Sequence, residues 1–328
     1  MNATLKQRVE MLAKNREVFA KSAKWSYHML YPVAALIYTG EGKMASEAKI
    51  SESKKILKAN EGPFTSFRNN LNMMTIAKMS LADDPKKYLT DTQDIYKKLK
   101  AGRIFGNDYT ALTAIGIADL GMTCKADEIA EKTNKIMKAM NKIHPILTND
   151  EDMVLASLLA LKTDPVDQII EDTEACYLIM KSRFHDLNAV QSLSHVMALQ
   201  DGKAEEKCER VGEIFDAFKA LKRRYPTDAC LPTLGALLSV NMDADALAKE
   251  IVEAADYLKT FKGFGNFSMG SKLRLVLASL LAVEVFAGDK KTANFAAYTS
   301  ILTMVIAMEV AYVAAISATT SAAVNSAN

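Results

Sequence analysis

His195 stands beside Ser194 in the apolar phrase LSHVMAL (193–199), with Asn188 about two turns earlier and His185 just before that. A base next to a hydroxyl is what nucleophilic catalysis needs. Adjacent helical residues, however, project about 100° apart and cannot form a Ser–His pair unaided. The expected role of His195 is therefore a core histidine with its ring nitrogens satisfied, a ligand contact being the alternative. Arg68, followed by Asn69 and Asn70, and Arg274, after the FSMGSK turn, are basic residues at junctions between helical segments. Their guanidinium forks could clamp a carboxylate or phosphate, or could bond the carbonyls left open at helix C-termini. Arg68, Asn70, Asn188, His195 and Arg274 make up the candidate ligand-binding set.

No residue is assigned to catalysis or to a metal, and no cofactor is expected. The chain has no HExxH, Gly-rich phosphate loop, EF-hand loop or GxSxG elbow, and GFGNF (263–267) lacks the strand–turn–helix setting of a dinucleotide fingerprint. His28 and His144 have no legible partner. Cys124, Cys176, Cys208 and Cys230 lie far apart with no Cys-x-x-Cys pair, and two of them fall on apolar helix stripes.

The elements that must position these residues are helices in tandem. An apolar residue, usually followed by Lys, closes an amphipathic stretch at positions 57, 99, 140, 180, 221 and 258, so successive anchors stand 42, 41, 40, 41 and 37 residues apart. A period in that range marks units that bury their apolar faces only by stacking on neighbours. One stretch opens at Asp164-Pro165 and runs its stripe through Val166, Ile169, Ile170, Thr173, Cys176, Tyr177 and Met180, leaving Asp167, Glu171, Asp172 and Glu174 for water. Asp84-Pro85 repeats that opening, with Asp expected to accept from the unpaired first-turn amides. Between these stretches lie segments apolar on every side, at 33–39, 75–82, 112–118, 154–161, 193–199, 234–240 and 273–283. They read as inner helices. The expected fold is all-α, about seven helical hairpins in a single domain over 1–328. A helical cap over 1–26, hairpins over 27–284, and an apolar helix and tail over 285–328 make it up. An open α/α solenoid and a closed α/α toroid satisfy the periodicity equally.

After most amphipathic stretches comes an aromatic and then Asn or Asp: Phe64 through Asn70, Phe105 with Asn107, Phe184 with Asn188, Tyr225 with Asp228, and Phe264 with Asn266. These loops would share one edge, and loops on a rigid scaffold commonly carry function. The simpler expectation is that the aromatics pack back on the preceding helix while the amides cap the next.

With 41 Lys and Arg against 39 Asp and Glu, a net charge of +2 gives no electrostatic reason for a nucleic-acid partner. The first residues carry charge throughout and no secretory-type apolar run, so a cytoplasmic location is expected. Residues 295–318 are long enough to cross a bilayer, but Glu309 near their middle and the interspersed Ser and Thr favour a buried terminal helix over a membrane anchor.

WSYHMLYPVAALIYT (25–39), the SLADDP and LALKTDP junctions, LNAVQSLSHVMAL (187–199) and FKGFGNFSMGSKLRL (261–275) together resemble a bacterial domain-of-unknown-function family, number 4003. The resemblance implies a bacterial, mostly helical protein. Its phrases are packing and turn motifs, so it carries over no functional residue. The functional expectation is a non-enzymatic scaffold that binds a protein or peptide along its loop edge or concave face. The competing class is an α/α-toroid enzyme or small-ligand protein with its pocket at the inner-helix ends.

Overall fold

Helix spacing dominates because apolar side chains at every third or fourth position come together only on a 3.6-residue turn. The computed structural model describes residues 1–22, 30–100 and 107–287. Among these are fourteen α-helices and no strand, with a lone antiparallel bridge between Val240 and Ala287. The helices are α1 (Ala3–Ser22), α2 (Leu30–Gly40), α3 (Glu47–Asn60), α4 (Asn72–Leu81), α5 (Pro85–Lys100), α6 (Asp108–Asp119) and α7 (Ala126–Ile143). They continue as α8 (Asp152–Leu159), α9 (Val166–Met180), α10 (Leu187–Ala198), α11 (Ala204–Ala220), α12 (Pro232–Ala236), α13 (Ala244–Leu258) and α14 (Gly270–Phe286).

Two kinds of helix alternate. In α2, every residue from Tyr31 to Thr39 is buried, and in α14 every residue from Arg274 to Val283 is. The amphipathic α9 buries only Ile169, Thr173, Cys176, Tyr177 and Met180, a single stripe. Each large apolar side chain withdrawn from water contributes about 1.5–3 kcal/mol, so the all-round apolar helices must be enclosed and the striped ones can border solvent.

The neighbours follow this division. The striped helices pack in chain order, α1 on α3, then α5, α7, α9, α11 and α13, and α13 packs back on α1. Among the enclosed helices α2 packs on α4, α6 on α8, α8 on α10, α10 on α12 and α12 on α14, and α14 meets α2. The remaining neighbours, α4 and α6, are joined by an ion pair between Lys78 Nζ and Asp119 Oδ2 at 2.5 Å. Helix α1 is covered on both flanks, since it also packs on α2 and α14. Tyr257 in α13 donates its hydroxyl to Glu10 Oε1 in α1 at 2.9 Å.

Three sequence expectations need correction. Asp84 caps α5 by accepting from the amides of Lys86 and Lys87, but Asp164 makes no such bond. Pro165, with ψ of 150°, takes the cap position and displaces Asp164 outward, where its carbonyl accepts from Lys132 Nζ. Asp172 and Glu174 do not stand free in water. Asp172 receives Lys207 Nζ on both carboxylate oxygens at 2.7 Å, and Lys207 is buried. Glu174 lies 2.7 Å from His144 Nε2, which gives His144 the partner its sequence surroundings hide. Helix α14 also runs past residue 284 to Phe286. No helix among the described residues is long and apolar enough to cross a membrane, and residues 295–318 lie outside them.

Candidate functional site

Among the described residues, several of the loops that lead from a striped helix into the next enclosed helix are tied to a neighbouring loop or helix start by polar side chains. Asn70 donates to Asp108 Oδ2 at 2.5 Å, Asn107 to Asp150 Oδ2 at 2.5 Å, and Tyr109 to Glu151 Oε1 at 3.0 Å. Gln191, in the first turns of α10, donates to Thr148 Oγ1 at 3.2 Å. Lys272 Nζ, at the start of α14, lies 3.5 Å from Asp228 Oδ2. Asn107 has a second role, its Oδ1 capping α6 through the Thr110 amide, and Asp186 rather than Asn188 caps α10.

Most aromatics of these loops turn inward as expected. Phe184 packs edge-on to Phe215 with ring centroids 5.0 Å apart, Tyr225 lies 4.8 Å from Phe218, and Phe264 is fully buried. Phe105 lies outside the described residues. Phe64 does the opposite: it is 93% exposed, as is Ile146, and Phe267 stands wholly in solvent. Ile143, the last residue of α7, and Leu187, the first of α10, are also exposed at the helix ends beside these connections. Sequence spacing cannot separate Phe64 from Phe67, three residues on, which is buried against Tyr96.

Beneath this edge lies a knot of buried polar groups. Ser194 donates its hydroxyl back to the Gln191 carbonyl at 2.7 Å and is not presented to His195. His195 is buried and its Nδ1 has no hydrogen-bond partner, the nearest acceptor being Asp152 Oδ1 at 3.6 Å, beyond hydrogen-bond range. Asp152 accepts the Asn149 amide at 2.9 Å on its other oxygen. Burial pushes the Asp152 carboxyl up to about 7, against the Asn149 bond and with the Glu151 charge. Burial also pushes the His195 imidazole down to about 3, with His144 adding to the effect. Both environments favour the uncharged form, so below pH 7 the pair is a neutral imidazole facing a carboxyl group rather than an ion pair. The closed space beside it, lined by His144, Glu174, Gln191, Ser194 and His195, has a volume of about 10 Å³. That is room for one water and too little for an organic ligand.

The five residues singled out from sequence are not brought together. Arg68 donates Nη1 to the Glu61 carbonyl at the end of α3 and lines a cleft of about 480 Å³. Arg274 is buried, donating to the Phe264 carbonyl at 2.9 Å and to Asn266 Oδ1 at 2.8 Å. Asn70 is exposed in its bond to Asp108, Asn188 is exposed, and His195 faces the small closed space. Both arginines thus bond loop or helix-end carbonyls.

Among known families, the model described as protein of unknown function (DUF4003) matches residues 17–311. No curated protein and no solved structure matches.

Proposed function

Since the chain belongs to this DUF4003 family, whose description supplies no activity, the functional reading rests on geometry, and we propose a closed ring of seven helical hairpins that serves as a docking scaffold for a protein or peptide. Each hairpin pairs a striped outer helix with the enclosed helix that follows it. Return of α13 to α1 and of α14 to α2 supports closure over an open solenoid. Small-angle scattering tests the shape: a ring of this length has a radius of gyration near the compact-domain value of about 20 Å, and an elongated superhelix would exceed it clearly.

Exposure of Phe64, Ile146 and Phe267 on the tied loop edge carries the docking reading. Exposed large apolar groups on a rigid rim cost solvation without contributing to the core, and such groups anchor partners in well-packed interfaces. The edge is held by side chains that bond across loops, so it is presented with little ordering cost on binding. The enzyme alternative has less support, because Arg68 and His195 line different spaces and neither space is lined by two of the five candidate residues.

A photo-crosslinking residue placed at 64, 146 or 267, and as a control at Met44 on an α2–α3 connection, tests the edge in native lysate. The expected result is a discrete adduct from edge positions only, lost when Phe64→Gln and Phe267→Gln are combined. Equal labelling from Met44, or adducts that survive the double substitution, would remove the basis of the docking assignment.

A further inference from the structure

The cleft that Arg68 lines is strongly basic. It opens between α1, α3 and the start of α4 and has a volume of about 480 Å³, within the usual range for small-molecule sites. Lys54, Lys55 and Lys58 of α3 line it together with Arg68, and the acid on its wall is Glu47. Four cations against one anion leave an excess of three positive charges here, in a chain whose whole net charge is +2.

The lysines belong to one helical face. Lys54 and Lys58 are four residues apart and Lys55 and Lys58 three apart, spacings at which like charges repel and cost an isolated helix about 0.2–0.5 kcal/mol per pair. At the same spacings the chain also forms attractive pairs, Lys87–Asp91, Glu131–Lys135 and Arg210–Glu213. No ion pair is formed by Lys55 or Lys58 among the described residues, and Lys54 Nζ donates only to the Ser22 carbonyl at 3.0 Å. Arg68 commits one Nη1 bond to Glu61 and keeps the rest of its fork.

We propose that this cleft binds a small multivalent oxyanion, a phosphate monoester or diphosphate group, with the phosphate oxygens shared among Lys55, Lys58 and Arg68. A tetrahedral phosphoryl group offers three acceptor oxygens to donors converging from different sides, and its double negative charge offsets most of the local excess. The site shares the α3–α4 loop with Phe64 but uses none of the exposed apolar side chains of the edge.

Calorimetric titration of the full chain with pyrophosphate, inorganic phosphate and citrate at matched ionic strength tests the assignment. Lys55→Gln/Lys58→Gln serves as the main variant, because both side chains are exposed and unpaired and the unliganded melt should not fall. The expected result is saturable pyrophosphate binding that weakens on the order of tenfold in the variant, loses affinity as salt rises, and exceeds binding of citrate. Arg68→Lys, which keeps the charge and removes the fork, should fall between parent and double variant. Absence of saturable binding, equal affinity in parent and Lys55→Gln/Lys58→Gln, or citrate bound as tightly as pyrophosphate would each overturn the proposal.

Discussion

Asp152→Asn should give the buried polar knot a pH response that the parent lacks between pH 3.8 and 6.5. In the folded protein Asp152 holds its proton up to about pH 7, and in the unfolded chain it releases it near its ordinary value of 3.8. Its contribution to stability is therefore full below pH 3.8 and is lost as pH rises through 7. His195 acts in the opposite sense: it refuses a proton until about pH 3 when folded and takes one near 6.5 when unfolded, so its cost at low pH is recovered as pH rises. Between 3.8 and 6.5 the two slopes cancel, because the pair keeps one proton in either state, on Asp152 when folded and on His195 when unfolded. Each slope alone is about 1.4 kcal/mol per pH unit. Asn preserves an acceptor for the Asn149 amide and presents a donor toward His195 Nδ1, so it imitates the protonated carboxyl group. Equilibrium urea unfolding of parent and variant at pH 4.5, 5.5 and 6.5 measures the Asp152 contribution by difference, since all other titrations are common to both. Stability of the variant relative to the parent should climb by about 3 kcal/mol over that range. A difference that stays flat or falls with pH would mean that Asp152 is ionised against a charged His195, and the neutral-pair reasoning would be wrong.

Tyr177→Asp should destabilise the chain by several kcal/mol in thermal or urea melts, because Tyr177 is buried on the α9 stripe and packs with its ring 4.5 Å from His144. Asp172→Lys should cost on the order of 3 kcal/mol, contrary to its sequence assignment to water, because it leaves buried Lys207 facing a second cation; Asp172→Glu should recover most of the loss. Gly263→Ala should cost about 1–3 kcal/mol, since its φ of +85° is a glycine conformation and a Cβ would meet Arg16 Cζ at 2.0 Å. Adding Arg16→Ala would remove the clash and leave the backbone part of that cost, which a melt of the double variant against Arg16→Ala alone reads.

Helix class and the buried stripe of α9 were legible from local spacing, because 3.6-residue periodicity is a property of neighbours in the chain. The polar partnerships were not. Glu174 reaches His144 thirty residues back, and Lys207 reaches Asp172 across thirty-five. One signal was present: Lys207 sits inside the apolar series Ala204, Cys208, Val211 and Ile214, where a buried cation demands an acid on the facing helix. Loop aromatics show the other limit. Phe64 and Phe264 follow their helices in the same way, yet one is in solvent and the other enclosed beside Arg16, which no local pattern distinguishes.

Packing of α1 on α13 and α14 has a consequence for synthesis. The face of α1 made by Leu5, Val9, Leu12 and Phe19 is fully buried in the finished protein, but part of its cover is encoded more than two hundred residues later. At about 5–20 residues per second, a ribosome needs on the order of 10–50 s to deliver it. Through that interval the growing chain carries an uncovered apolar strip at its first helix, and chaperones can engage it there. Among the described helices, α13 and α14 emerge last and complete the burial of the first.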